Sequence, residues 1–520
     1  MTAVFHPAAV ASRAPDRPAY VIAETGQTVT YGQLDRESNR LAHLFRRLGL
    51  GRGDHLAMCM DNHVQFLQVA WAAQRAGLYW TPISTKLTAE EAAYIVDDCD
   101  ARVVITSAAL TDVAVGMMPL TPRVEHRLMV GGCAVGHQPL EEAAAQCPTT
   151  PIADEAEGVD MLYSSGTTGR PKGIRVPLPV GPVGQLSGVP MLAHRLFGCG
   201  EDTVYLSPAP LYHGAPLRFS MAMHRLGGSV VVMQKFDPER ALAAIETYAV
   251  THSQWVPTMF VRMLKLARDV RARHDLSSMR VAIHAAAPCP RAVKEEMVQW
   301  WGPILHEYYG GTEGNGFVYC PPADWLARPG TVGRLIAGTL HVCDDAGVEL
   351  SPGEIGTIWF EGTPTFDYHK DPEQTAAARH PAGAGWTTLG DVGYVDADGY
   401  LYLTDRRGFT IVSGGVNIYP QETEDVLVMH PLVADVAVFG VPSEDFGEEV
   451  KAVVQPVDGV APTAALADEL IAYCRDHLSH VKCPRSLDFV DELPRTPTGK
   501  LLKAALRDRY WAARSTRIGN

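Results

Sequence analysis

Residues 163–173 read Tyr-Ser-Ser-Gly-Thr-Thr-Gly-Arg-Pro-Lys-Gly, and no other run constrains this chain as much. Four hydroxyl side chains (Ser164, Ser165, Thr167, Thr168) are interleaved with Gly166 and Gly169, and Lys172 stands behind a proline. Glycines let backbone N–H groups turn toward an anion, hydroxyls donate to phosphate oxygens, and a lysine adds a point charge. Composition alone would equally suit a flexible Ser/Gly surface loop. The apolar residues just before it (Val159, Met161, Leu162) can end a strand, which is where α/β sheets place ligand loops. No Gly-Lys-Ser/Thr closes the run after four spacers, so it is not a Walker A loop. The expectation is a nucleotide-phosphate loop of another kind.

At 520 residues the chain is too long for one ordinary core, so at least two domains are expected. A net charge of −14 offers no footprint for nucleic acid or an anionic membrane, so anionic ligands must be held by local clusters. The ten cysteines form no Cys-x-x-Cys pair, and Met1–Ser12 does not read as a signal peptide. Together these suggest a reduced, cytoplasmic protein and neither a disulfide scaffold nor a zinc site. No apolar run approaches the ~18 residues of a transmembrane segment. Only ten of the 45 basic residues are lysine, so each well-placed lysine merits inspection.

The N-terminal part alternates helix and strand. Thr30-x-x-Gln33 and Thr88-x-x-Glu91 are capping boxes, and Leu34, Leu41, Leu44 and Leu48 share one helical face. Strands are expected at His55–Met60 and Arg102–Ile105, with a helix over His63–Ala76 stopped by Gly77. This order implies parallel strands joined by crossover helices. Short β-like runs follow between Gly353 and Tyr402. After the charged stretch Asp405–Gly408 come a helix from about Gln421, strands at Val436–Phe439 and Val450–Gln455, and a helix at Ala464–His480. The fold class is therefore α/β: a large N-terminal domain (1–404) with parallel or mixed sheets, a hinge (405–410), and a small α+β C-terminal domain (411–520).

Five further segments carry chemistry. His306–Gly316 (HEYYGGTEGNG) offers aromatic surface, close backbone approach, and a Thr312-Glu313 oxygen pair suited to Mg²⁺, although a tight turn would read the same way. Pro208–Pro216 (PAPLYHGAP) contains His213, and a lone histidine is more often structural. Gly385–Arg407 contains Gly390-Asp391 and Asp405-Arg406; Ser413–Pro420 contains Gly414-Gly415; Pro494–Lys500 (PRTPTGK) ends in a lysine.

With the 163–173 run, these segments closely resemble, in order and spacing, those of the AMP-forming adenylating enzymes: acyl-CoA synthetases, adenylation domains and luciferases. The whole is most similar to bacterial fatty-acid-type acyl-CoA ligases. The resemblance implies a mobile C-terminal domain and the substrates ATP, CoA and a carboxylic acid. It puts Ser164–Gly169 and Lys172 on the nucleotide phosphates, Tyr309 against adenine, Thr312 at phosphate and Glu313 on Mg²⁺. Asp391 would meet the ribose and Arg406 the nucleotide. His213, Ala215, Gly310 and Gly311 would border the acyl pocket, Gly414 and Gly415 the CoA channel, and Lys500 would be the catalytic lysine. Small Ala215 implies a roomy pocket, hence a fatty or bulky alicyclic or steroid-type acid. An aryl acid, or delivery to a carrier protein, is the alternative; no carrier-like segment follows Lys500. Light-emitting oxygenation and nucleotide binding without turnover are more distant readings. Two departures stand out: Leu389 replaces the usual threonine before Gly-Asp, and Gly408-Phe409 replaces the usual Lys-Asp at the hinge. The resemblance also admits a homodimer and a lysine acetyltransferase acting on Lys500.

Overall fold

In the computed structural model the described residues are 5–165, 171–181, 183–364, 366–383, 385–406, 409, 411–413, 416–443, 446–495 and 501–515; the side chains of residues 165, 405, 406, 417 and 512–515 are not among them. The chain divides into two compact units. The first comprises residues 1–254, 269–282 and 366–372, and the second comprises 255–268, 283–365 and 373–520.

In the first unit, six strands run parallel in the order 138–139, 126–130, 103–107, 55–59, 79–83, 159–160. The helices Phe66–Arg75, Ala89–Asp98 and Thr111–Met117 connect successive strands as crossovers. Both capping boxes form: Thr30 and Thr88 each accept the backbone N–H three residues on, and Gln33 and Glu91 reach back. Each cap contributes about 1 kcal/mol and fixes where its helix starts. The first crossover helix begins at Phe66 and not at His63, because 63–65 form a turn closed by the Phe66 N–H on the His63 carbonyl. A second group of strands joins Val204–Ser207, Ser229–Val232 and Pro18–Ile22 in parallel, with Thr28–Thr30 antiparallel at its edge.

The second unit holds two further sheets. The four-stranded one runs 339–343, 356–361, 391–395, 401–406, all antiparallel. In the C-terminal part, Val433–Ser443 and Gly447–Pro456 form a long hairpin, carried beyond the expected lengths by ten paired positions from Val433 to Ser443. Ile418, Leu427, Val438, Val454 and Leu470 make its buried core with the helices Pro420–Leu427 and Ala464–His477. Elsewhere in this unit, the fully buried Lys294 ammonium sits 2.5 Å from Glu307, tying the helix Arg291–Trp301 to the strand Leu305–Tyr309. Removing one partner of such a buried pair typically costs about 3–5 kcal/mol.

All ten cysteines are free. Among the described residues no helix is long and apolar enough to cross a membrane.

Candidate active site

In the first unit the Tyr163–Ser165 strand pairs antiparallel with Pro171–Arg175, putting Lys172 opposite Ser164 and Pro171 opposite Ser165. The apolar lead-in thus ends in a strand whose hairpin partner carries the lysine. Gly173 is required here: a Cβ would lie 2.7 Å from Met161 Cε and 2.9 Å from Tyr163 Cζ. The Lys172 ammonium lies 5.5 Å from the centre of the Tyr368 ring, a cation–π distance. Gly166, Thr167, Thr168 and Gly169 lie outside the described residues, as do Lys500, Gly414, Gly415 and the side chains of Ser165 and Arg406.

His213 caps the helix Gly214–Leu226 with extended backbone (φ −89°, ψ 147°), its ring edge-on to Tyr212 at 4.5 Å. A Cβ on Gly214 would come within 2.7 Å of Leu162 Cδ1, so this glycine lets the helix start against the residue that leads into the hairpin. Burial lowers the His213 pKa to about 4, leaving a neutral imidazole at pH 7. Such a ring can orient a carboxylate by hydrogen bonding without trapping it as an ion pair. Ala215 is the second residue of that helix and is partly buried.

In the second unit, the Leu305–Tyr309 strand ends in Tyr309, whose hydroxyl donates to Asp391 Oδ2 at 2.7 Å. Asp391 is 7% exposed and opens the Asp391–Val395 strand, in register with Arg406 of Leu401–Arg406. Two motifs distant in sequence are therefore joined by one hydrogen bond.

A side chain would be crowded at both Gly310 and Gly311. A Cβ on Gly310 would press on the Gly316 carbonyl at 2.9 Å. One on Gly311 would meet Glu313 Oε2 at 2.6 Å and Leu389 Cδ1 at 2.8 Å. Leu389, the departure before Gly390-Asp391, thus fills the space that Gly311 leaves. The neighbouring Thr388 hydroxyl donates to the Ile358 carbonyl and accepts the Gly390 N–H, which sets the turn into Asp391.

Sequence reasoning missed two features. The Leu389–Gly311 contact is one. The other is Ala286, beyond the end of the strand Val281–His284, which holds φ +78° where glycine is the usual occupant. Strained backbone of this kind costs about 1–3 kcal/mol and concentrates at functional sites. The run Ala285–Ala287 before Pro288 is its faint signal.

Among the described residues no group of three His, Cys, Asp or Glu side chains could hold a metal by itself. Glu313, partly buried beside Thr312 and folded over Gly311, suits Mg²⁺ nonetheless. That ion takes one or two carboxylates and draws its remaining ligands from phosphates and water.

The AMP-binding enzyme family matches residues 8–367, and the AMP-binding enzyme C-terminal domain matches residues 422–500. This chain belongs to the AMP-binding enzyme family, the class of acyl-CoA synthetases and related AMP-forming acid ligases. It is 31% identical over 543 residues to the fatty acid–[acyl-carrier-protein] ligase ScoC of Streptomyces coeruleorubidus, covering 99% of this chain and 97% of ScoC. It is 33% identical over 506 residues to the feruloyl-CoA synthase of an Amycolatopsis species, covering 95% and 96%. The anthranilate CoA ligase AuaEII, solved with anthranoyl-AMP, superposes with a TM-score of 0.84 at 25% identity over 99% of both chains.

Proposed function

We propose that this protein is an acid–CoA ligase that forms an acyl-adenylate from ATP and a hydrophobic carboxylic acid, then passes the acyl group to the CoA thiol. The Tyr309–Asp391 hydrogen bond carries the reading, because it unites the residue expected on adenine with the one expected on ribose. The Ser164/Lys172 hairpin would hold the phosphates. In the first step a carboxylate oxygen attacks the α-phosphorus and the bond to pyrophosphate breaks. Lys500, on the C-terminal domain, would neutralise charge shared by carboxylate and phosphate. Mg²⁺ bound at Glu313 would offset the charge of the pyrophosphate leaving group. In the second step the thiol sulfur attacks the acyl carbon and AMP departs.

The rotation between these steps is assigned to residues 405–410, with 411–520 as the moving domain. The Lys503 ammonium and the Arg507 guanidinium lie 5.6 and 5.7 Å from the centre of the Phe409 ring, cation–π distances, at the position where the family pattern has an aspartate. Gly414 and Gly415 would then turn to the CoA channel. Small Ala215 favours a fatty or bulky alicyclic acid. The relatives divide between fatty and aryl acids and between CoA and a carrier protein, so an aryl acid is the second reading.

A panel of carboxylic acids tested for pyrophosphate and AMP release, with and without CoA, decides the matter. AMP and an acyl-CoA are expected with long-chain or alicyclic acids. Release of ADP would exclude the mechanism, and turnover confined to benzoate-type acids would favour the second reading. Replacing Ala215 by Trp should exclude large acids while sparing short ones.

A further inference from the structure

Residues 366–372 pack with the first unit, whereas the residues on either side of them in sequence belong to the second. Asp367–Tyr368 pairs antiparallel along Pro171–Arg175, Tyr368 opposite Ile174 and Asp367 opposite Arg175, and the His369 N–H donates to the Gly173 carbonyl at 2.7 Å. The segment then crosses to the C-terminal end of the helix Ala89–Asp98. There His369 Nε2 and Lys370 Nζ both donate to the Asp98 carbonyl, at 3.0 and 2.6 Å, and Lys370 pairs with Asp100 at 2.9 Å. Carbonyls at a helix C-terminus lack intrahelical donors and carry partial negative charge, so a cation and an N–H are apt partners.

The same Asp98 holds the other strand of the hairpin. Its carboxylate accepts the Tyr163 hydroxyl at 2.5 Å. Tyr94, one turn earlier on that helix, donates to the Pro171 carbonyl at 3.4 Å. One helix end therefore grips both strands within two residues of where the phosphate loop leaves and rejoins them. Lys370 and Asp100 both adopt φ +55°, a left-handed backbone that side-chain-bearing residues seldom take. Two such residues paired with each other indicate that the contact is worth keeping against local strain.

We propose that residues 366–372 are a strap that fixes the two hairpin strands carrying Ser164 and Lys172, with Lys370 as its positioning residue and Asp98 as the anchor common to both strands. The proposal rests on the loop's assignment as a phosphate site. The strap touches no substrate; it acts by fixing the two strands from which Ser164 and Lys172 project. Displacing such groups weakens the charge-assisted contacts they offer a bound phosphate, so the cost falls on ATP affinity.

The test uses the purified full chain and two readouts. ATP affinity is measured by calorimetry without acid, and kcat and the KM of each substrate by pyrophosphate release. Lys370→Asn removes the ammonium but keeps a residue that tolerates left-handed backbone. It should weaken ATP binding about tenfold, the order for a lost charge-assisted contact, while the acid KM and the kcat at saturating ATP hold within about twofold. Lys370→Arg keeps the charge and should recover most of the loss. Asp100→Asn, which removes only the ion pair, should weaken ATP binding about threefold and covers the case in which Lys370→Asn does not fold. ATP affinity within about twofold of the parent in both variants overturns the strap. So does an equal change in acid KM and ATP KM. A parent that binds ATP but turns over no acid sinks the ligase assignment and leaves the strap standing. A parent that binds no ATP overturns both.

Discussion

The Tyr309 hydroxyl lies 2.7 Å from Asp391 Oδ2 across 82 residues of sequence. The donor closes one strand and the acceptor opens another, so the bond fixes an aromatic face and a carboxylate relative to each other. On the proposed reading that arrangement is set before the nucleotide arrives: a ring to stack on and an acceptor for sugar hydroxyls. Asp391 is 7% exposed, so its carboxylate needs partners in the free protein too.

Tyr309→Phe keeps the ring and removes the donor. It should raise the KM for ATP about tenfold, as expected for a lost hydrogen bond to a charged group, with a smaller effect on kcat. Asp391→Asn should do more, because it removes the charge and leaves a single acceptor oxygen to serve both the Tyr309 hydroxyl and the sugar hydroxyls. Initial rates at varied ATP measure both, and equal KM values for parent and Tyr309→Phe would show that the bond does not shape the site.

A methyl group on Gly311 would strike Glu313 Oε2 at 2.6 Å and Leu389 Cδ1 at 2.8 Å. Gly311→Ala is therefore expected to cost about 1–3 kcal/mol in stability or in adenylation, whichever way the strain relaxes. Leu389→Ala opens the room that the methyl needs. The double variant should be better than Gly311→Ala alone, a non-additivity read from a thermal-melt and rate cycle. Additive losses would mean that the two side chains do not compete for one space.

Local features of this architecture could be read from sequence, and its long-range ones could not. Thr30-x-x-Gln33 and Thr88-x-x-Glu91 announce helix starts because cap and acceptor are three residues apart, and both form as expected. The lead-in to Ser164 ended in a strand for the same reason: the apolar run and the turn residues are contiguous. The grip of Lys370 on Asp98 spans 272 residues, and nothing near either end signals it. Leu389 looked like an unexplained departure until Gly311 was seen beneath it. The left-handed Ala286 left only the faint trace of the Ala285–Ala287 run, since alanine is not the residue a turn of that hand selects.

Acid should destabilise the protein through its buried and partly buried histidines. Burial, in each case the largest cause, lowers His213 and His55 to about 4 and His6 and His224 to about 3. Their unfolded values are near 6.5, so between that pH and the folded values the unfolded chain binds more protons. The stability these groups contribute is complete above pH 6.5 and is lost as pH falls toward 3–4. His224 shows why: Nδ1 accepts the Trp71 indole N–H at 2.9 Å while Nε2 meets the Ala19 carbonyl, so a second ring proton would face a donor. Melting temperatures from pH 7 to 4 should fall, and His224→Gln should give a lower starting value with a shallower slope. An unchanged slope would mean that His224 is not among the groups responsible.

The half-reactions separate the role proposed for Lys500. If its ammonium serves only adenylation, Lys500→Ala should slow acyl-adenylate formation about 10²-fold or more, the order seen when one preorganised electrostatic contact is lost. Conversion of supplied acyl-adenylate and CoA to thioester should stay near the parent rate, because the C-terminal domain would then have carried the lysine away. Glu313→Gln should show the same asymmetry, since only the first step has a pyrophosphate for the metal to bind. Acetylation of Lys500 removes the same charge as the alanine variant and should reproduce its profile, which would make that residue a point of control. Rapid-quench measurements of adenylate formation and a thioester assay on pre-made adenylate read the two steps independently. Intact adenylation in Lys500→Ala would remove the lysine from the mechanism; equal losses in both steps would assign it to folding or domain placement instead.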